Sequence, residues 1–139
     1  MFDKLHIFLG ATVADAAARP LHWVYDKKKL SSYIKGKKDI AFFKQNRSPF
    51  YSIKTGEVSG YNDVGQVMFK TLIKTTNHNE IIKLFKKNII KNFGPGSKYW
   101  KNLSLRKKYK KIKWKTAMKG SWIHQNILET IKNIKIKKT

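Results

Sequence analysis

Apolar residues recur at three- and four-residue spacing through most of this chain, and that period restricts it to helices. Ile81, Ile82, Leu84, Phe85, Ile89 and Ile90 form one stripe, with Lys83, Lys86, Lys87 and Lys91 opposite. Leu5, Phe8, Leu9, Thr12, Val13 and Ala16 form a second. Val64, Val67, Met68, Thr71 and Leu72 form a third, and Trp122, Ile123, Ile127, Leu128 and Ile131 a fourth. No convincing strand pair accompanies them. The expected fold class is all-α.

Local signals set the boundaries. Asp3 can cap the first helix and Pro20 stops it, because Arg19 precedes a proline and is disfavoured in helix. Asp26 can cap a short helix carrying Leu30, Tyr33 and Ile34, with Gly36 ending it. Residues 36–62 read as a long connection, which is unusual in a compact domain unless it has a job. Phe42, Phe43, Phe50 and Tyr51 suggest that it is pinned to a core. A helix starts near Asp63, Asn77 or Asn79 caps the next, and Phe93-Gly94-Pro95-Gly96-Ser97 breaks it. Tyr99 to Leu105 reads as a further helix, and Gly120-Ser121 opens the last. The chain of 139 residues suffices for one domain over 1–131, followed by a basic tail over 132–139 that frays.

Lys and Arg number 31 against 8 acids, a net charge of +23 that attracts polyanions. Nearly all of it is Lys; Arg appears at Arg19, Arg47 and Arg106. Ile and Asn are plentiful too, so a coding bias towards A/T-rich codons accounts for the charge without a binding face. With 41% hydrophobic and 13% aromatic residues, the chain is expected to fold. It has no Cys, so disulfides and thiolate metal sites are excluded. No stretch is long and apolar enough for a membrane span, and Phe2 to Val13 is interrupted by Asp3, Lys4 and His6. A cytoplasmic protein with no membrane insertion is expected.

Four segments, in order, carry a family resemblance. They are Gly10 to Asp26, with Asp15 and Pro20-Leu21-His22-Trp23; Asn46 to Asp63, ending Ser59-Gly60-Tyr61-Asn62-Asp63; Phe93 to Trp100; and Lys119 to His124. Together they resemble the J1-crystallin-like branch of the ADP-ribosylglycohydrolase superfamily, over nearly the whole chain. The resemblance implies an orthogonal helical bundle around a cleft, here incomplete. Active members bind two Mg²⁺ ions and cleave ADP-ribose from a conjugate; carboxylates and water suit that hard cation.

Such members draw ligands from an acid near the end of the first helix, a Thr-Asp-Asp-Thr run and a C-terminal Asp-x-Asp-Thr run. Here Asp15 matches the Gly-Asp position, and the later acid falls on His22. The Thr-Asp-Asp-Thr run falls on Asn62-Asp63-Val64-Gly65, which keeps one carboxylate. No Asp lies beyond Asp63; only Glu80 and Glu129 follow it. By resemblance, Asp63 is the catalytic candidate and, with Asn62, the metal candidate. Asp15, His22 and Tyr61 are the substrate-contact candidates.

Each has a plainer reading. Asp15 either lies beneath the cleft as an acceptor or pairs with Arg19 four residues on. His22 is a ligand or a core histidine wedged beside Trp23. Asp63 is a site residue or a helix cap. Gly94-Pro95-Gly96 is an anion cradle or a helix stop. Arg106 to Lys115, with Tyr109, Ile112 and Trp114 interleaved, is a single-strand groove or a solvated basic face.

Three functions are therefore expected in rivalry. The first is an ADP-ribosylglycohydrolase-like hydrolase using Mg²⁺ on ADP-ribose or an ADP-ribosylated substrate, with doubtful activity because acids are missing. The second is a catalytically dead, crystallin-like structural domain, and the third a basic nucleic-acid-binding protein. Apolar faces left without helices to cover them would favour a homodimer or marginal stability.

Overall fold

The computed structural model describes residues 4–109 and 118–136. The order is α1 (Lys4–Ala18), a 3₁₀ turn (Arg19–Leu21), α2 (Lys27–Ile34), β1 (Tyr51–Ser52), α3 (Gly60–Leu72), α4 (His78–Phe93), α5 (Lys98–Tyr109), β2 (Met118–Lys119) and α6 (Gln125–Ile136). The described chain is mostly helical, as the spacing predicts. It divides into two compact units, 4–59 with 118–119, and 60–109 with 120–136.

In the first unit, α1 ends at Ala18 because Pro20 cannot continue the backbone ladder. The cap expected at Asp3 lies outside the described residues. Asp26 does cap α2, its Oδ1 accepting from the Lys29 N–H at 3.1 Å. Gly36 follows with φ 71°, the left-handed conformation that closes a helix cheaply only for glycine. One expectation is corrected here: Tyr51 and Ser52 pair in parallel with Met118 and Lys119. Two residues per strand carry no alternation to read, so the pairing has no signature in the sequence.

The long connection has its job. Arg19 is 1% exposed and its guanidinium holds the 46–57 loop. Nε donates to the Glu57 carbonyl at 3.0 Å and Nη1 to Asn46 Oδ1 at 2.9 Å. Nη2 donates to the Ile53 and Lys54 carbonyls at 3.1 and 2.9 Å. Asn46 passes the grip on, its Nδ2 donating to the Tyr51 carbonyl at 3.0 Å. A buried charge is tolerable when its donors are met in this way. Asp15 therefore does not take Arg19 as its hydrogen-bonded partner: three backbone carbonyls and the Asn46 side chain accept from the fork instead.

In the second unit, α3 and α4 pack on each other, and α4 also meets α5 and α6. The core is Val67, Ile89, Phe93, Tyr99, Ile123, Leu128 and Ile131. Ile89 and Ile131 are fully buried, each stabilising by about 2 kcal/mol through lost apolar surface. Asn77 caps α4, its Oδ1 accepting from the Glu80 N–H at 3.1 Å. The break after α4 is a helix stop: the Gly94 N–H donates to the Ile90 carbonyl at 2.8 Å, and Ser97 N–H to the Gly94 carbonyl at 3.1 Å. Those two amides are spent inside the chain rather than offered to an anion.

Both ends of the last helix differ from expectation. The last helix begins at Gln125, because Gly120 has φ 97° and the Ser121 carbonyl accepts from Asn102 Nδ2 at 3.0 Å. Those contacts hold 121–124 as a connection that buries Ile123. The same helix runs on to Ile136, into the segment expected as a tail. Of the basic run, 106–109 continues α5, and 110–115 lies outside the described residues.

Candidate functional site

The residues that the resemblance singles out fall in both units. Asp15 and His22 belong to the first; Tyr61, Asn62 and Asp63 belong to the second.

Asp15 is half-buried on α1. Its Oδ2 accepts from the Ser59 N–H and its Oδ1 from the Ser59 hydroxyl, each at 2.6 Å. Both carboxylate oxygens thus tie the end of the long connection to α1. Ser59 is itself buried, so the pair is shielded from competing water. His22 sits at the end of the 3₁₀ turn, with Nδ1 3.2 Å from the Tyr51 hydroxyl. Its ring lies 4.9 Å from that of Trp23. Trp23 (φ 66°) sits edge-on to Phe50 and Tyr51. Burial pushes the His22 pKa down; nearby Asp15 opposes that shift and Arg19 adds to it. A histidine wedged among aromatics is what the first unit contains.

Asp63 is not a cap. α3 begins at Gly60, which places Asp63 inside the first turn rather than before it. The helix starts early because Gly60 is packed against the Trp122 carbonyl, where an added Cβ would stand 2.7 Å from the oxygen. Asp63 Oδ2 accepts from the Tyr99 hydroxyl and lies 3.1 Å from Lys98 Nζ. The ammonium also lies over the Tyr99 ring, 5.1 Å from its centroid. Tyr99 is 2% exposed, and its ring is packed on Phe93 at 4.6 Å. Asn62 accepts from Gln66 Nε2 at 3.0 Å, along the helix. Tyr61 stacks on His124 with ring centroids 3.7 Å apart. His124 closes the fourth resembling segment, but no local pattern assigns it a role, since its partner lies 63 positions away in the chain.

Magnesium requires a near-octahedral set of oxygens. Asp63 supplies a carboxylate, but a lysine ammonium and a phenol already face its Oδ2. Among the described residues, no three of His, Cys, Asp and Glu come together. This donor set does not fit a Mg²⁺ ion.

Beside Asp63 opens a cavity of about 340 Å³ along α3 and α4. Lys70, Lys74, Lys91 and Lys98 line it, with Gln66, Asn88 and Asn92. Val67, Phe93 and Tyr99 belong both to its wall and to the core, so that wall is fixed by packing.

Two curated proteins are similar to the chain: Crystallin J1A and Crystallin J1B of Tripedalia cystophora. Each is 32% identical over 91 residues, which is 66% of this chain and 28% of the relative. The chain thus spans about a quarter of the length of these relatives. The similarity fits the J1-crystallin-like part of the resemblance. No family model matches the chain, and no solved structure does. Among the described residues, no helix is long and apolar enough to cross a membrane.

Proposed function

We propose that this chain is a catalytically silent helical domain with a structural role, of the kind that the name crystallin denotes in its relatives. The observation that carries this reading is the state of Asp63. The single carboxylate kept from the metal-binding run makes an internal ion pair with Lys98 and a hydrogen bond with Tyr99. Asp15, the other carboxylate in the matched pattern, ties Ser59 to α1. The one acid kept at a metal-binding position and the acid matched to the Gly-Asp position are both engaged within the fold.

Lys98 is 64% exposed, so its ion pair with Asp63 is a weak surface pair. What a divalent ion lacks here is company for Asp63, since no group of three His, Cys, Asp and Glu forms among the described residues. Hydrolysis of an ADP-ribosyl bond also needs an activated water and an acid or metal for the leaving group. Val64 fills the place of the second acid and contributes nothing to either task.

Calorimetric titration of ADP-ribose, run with and without Mg²⁺ and followed by a product assay, tests this. The expected result is that Mg²⁺ makes no difference and that no ADP-ribosyl conjugate turns over. Metal-dependent heat that disappears in Asp63→Ala would instead establish a working half-site and restore the hydrolase reading.

A further inference from the structure

We propose that the cavity along α3 and α4 is a binding site for an extended oligophosphate. Four lysines, Lys70, Lys74, Lys91 and Lys98, line this space of about 340 Å³ together with one acid, Asp63. That leaves three positive charges without an internal counter-charge in the lining. Like charges gathered in one concavity repel, and the low-dielectric walls strengthen their field. A multiply charged anion relieves that repulsion where a neutral ligand cannot.

The shape argues for an extended anion over a compact one. From Asp63 to Lys70 the helix rises about 10 Å, so the cationic groups are strung along a groove. Lys98 Nζ lies 3.1 Å from Asp63 Oδ2, in the first turn of α3, whereas Lys70 is in its last turn and Lys74 just beyond its end. Lys91 lines the α4 side. A single phosphate reaches one end only, whereas a linear tri- or polyphosphate spans several lysines.

Amides supply directional donors between the charges. Asn92 Nδ2 donates to the Asn88 carbonyl at 2.8 Å, and Asn88 Nδ2 to Thr71 Oγ1 at 3.4 Å. Each of these bonds uses one of the two hydrogens on its nitrogen and fixes where the other can point. Thr71 is fully buried and donates to the Val67 carbonyl at 2.8 Å, so the network is anchored in the core. A groove preformed in this way needs little ordering when the anion arrives. The site requires no metal and no catalysis, and it stands whether or not the structural reading above does.

The test is titration of inorganic tripolyphosphate into the full chain at 0.15 M salt, an ionic strength at which exposed charges are screened beyond about 8 Å. The variant Lys70→Gln/Lys91→Gln removes two charges from the groove. Lys27→Gln/Lys28→Gln removes two exposed charges from α2 and serves as the matched control. The groove variant is expected to bind about tenfold more weakly while the control keeps nearly its full affinity. Equal weakening in both, or none in the groove variant, would overturn the site and leave diffuse attraction by the net charge. Asp63→Asn removes the one negative charge and is expected to tighten binding without added metal; loss of binding there would also overturn the proposal. A nucleoside triphosphate that binds as tripolyphosphate does identifies the phosphate tail as what is read. A single-stranded oligonucleotide that outcompetes tripolyphosphate through the same two lysines would transfer the groove to nucleic acid and end the oligophosphate assignment.

Discussion

At the scale of single residues, charge placed inside the chain decides more than charge spread over it. Arg19 is the strongest case, a buried cation whose donors meet three backbone carbonyls and Asn46. Lysine keeps the charge but not the planar fork, so Arg19→Lys leaves acceptors unmet and is expected to destabilise by about 3 kcal/mol in chemical denaturation. A loss under about 1 kcal/mol would mean that the loop is held by other means. His22 makes a prediction in pH. Its pKa is lowered in the folded state, chiefly by burial, so the unfolded chain binds the proton more readily. Stability from this residue is therefore full above the ordinary histidine pKa of about 6.5 and falls as pH drops below it. Thermal melts across that range should show the fall, and His22→Asn should flatten it. The sequence showed Asp15, His22 and Asp63 as notable but not what each meets. Asp63 meets Tyr99 and Lys98 only through folding across more than thirty intervening residues, which no local pattern records.

At the scale of elements, the legible parts were those written locally. Asp26 and Asn77 cap their helices as their positions predict, because an Ncap needs only its own side chain and an amide three residues on. Gly36, Gly94 and Pro20 stop helices for equally local reasons. The start of α3, the delayed start of α6 and the β1–β2 pairing were not legible. Each is set by a contact distant in sequence: Gly60 against Trp122, Ser121 with Asn102, Tyr51 with Met118. The apolar stripes were legible as helical but not by how much each is covered. In α1, Leu5, Leu9 and Val13 are 45%, 48% and 57% exposed, whereas Ile131 of α6 is fully buried. Leu9→Ala should therefore change stability by less than about 0.5 kcal/mol. Ile131→Ala should cost about 2–5 kcal/mol through the cavity it leaves. Equal losses in denaturant titrations of the two variants would show that the α1 face is covered in solution.

At the scale of the whole molecule, the question is what a net charge of +23 does to a chain of 139 residues. Among the described residues, one lysine–carboxylate ion pair stands against a surface on which most lysines face solvent. Self-repulsion then opposes folding, and salt weakens it by shortening the reach of each charge. Raising ionic strength from about 0.01 to 0.15 M shortens that reach from roughly 30 to 8 Å, which spares the buried bonds of Arg19 and Asp15 and screens the exposed lysines. The melting temperature should rise over that range with a simple salt. Tripolyphosphate should raise it further at equal ionic strength, because an anion held in one groove stabilises by binding as well as by screening. The Lys70→Gln/Lys91→Gln variant separates the two effects: it should keep the rise with simple salt and lose the extra rise with tripolyphosphate. A melting temperature that falls with added salt would mean that attractive pairs outweigh repulsion, and the lysine-rich surface would then have to be read as part of what holds the fold.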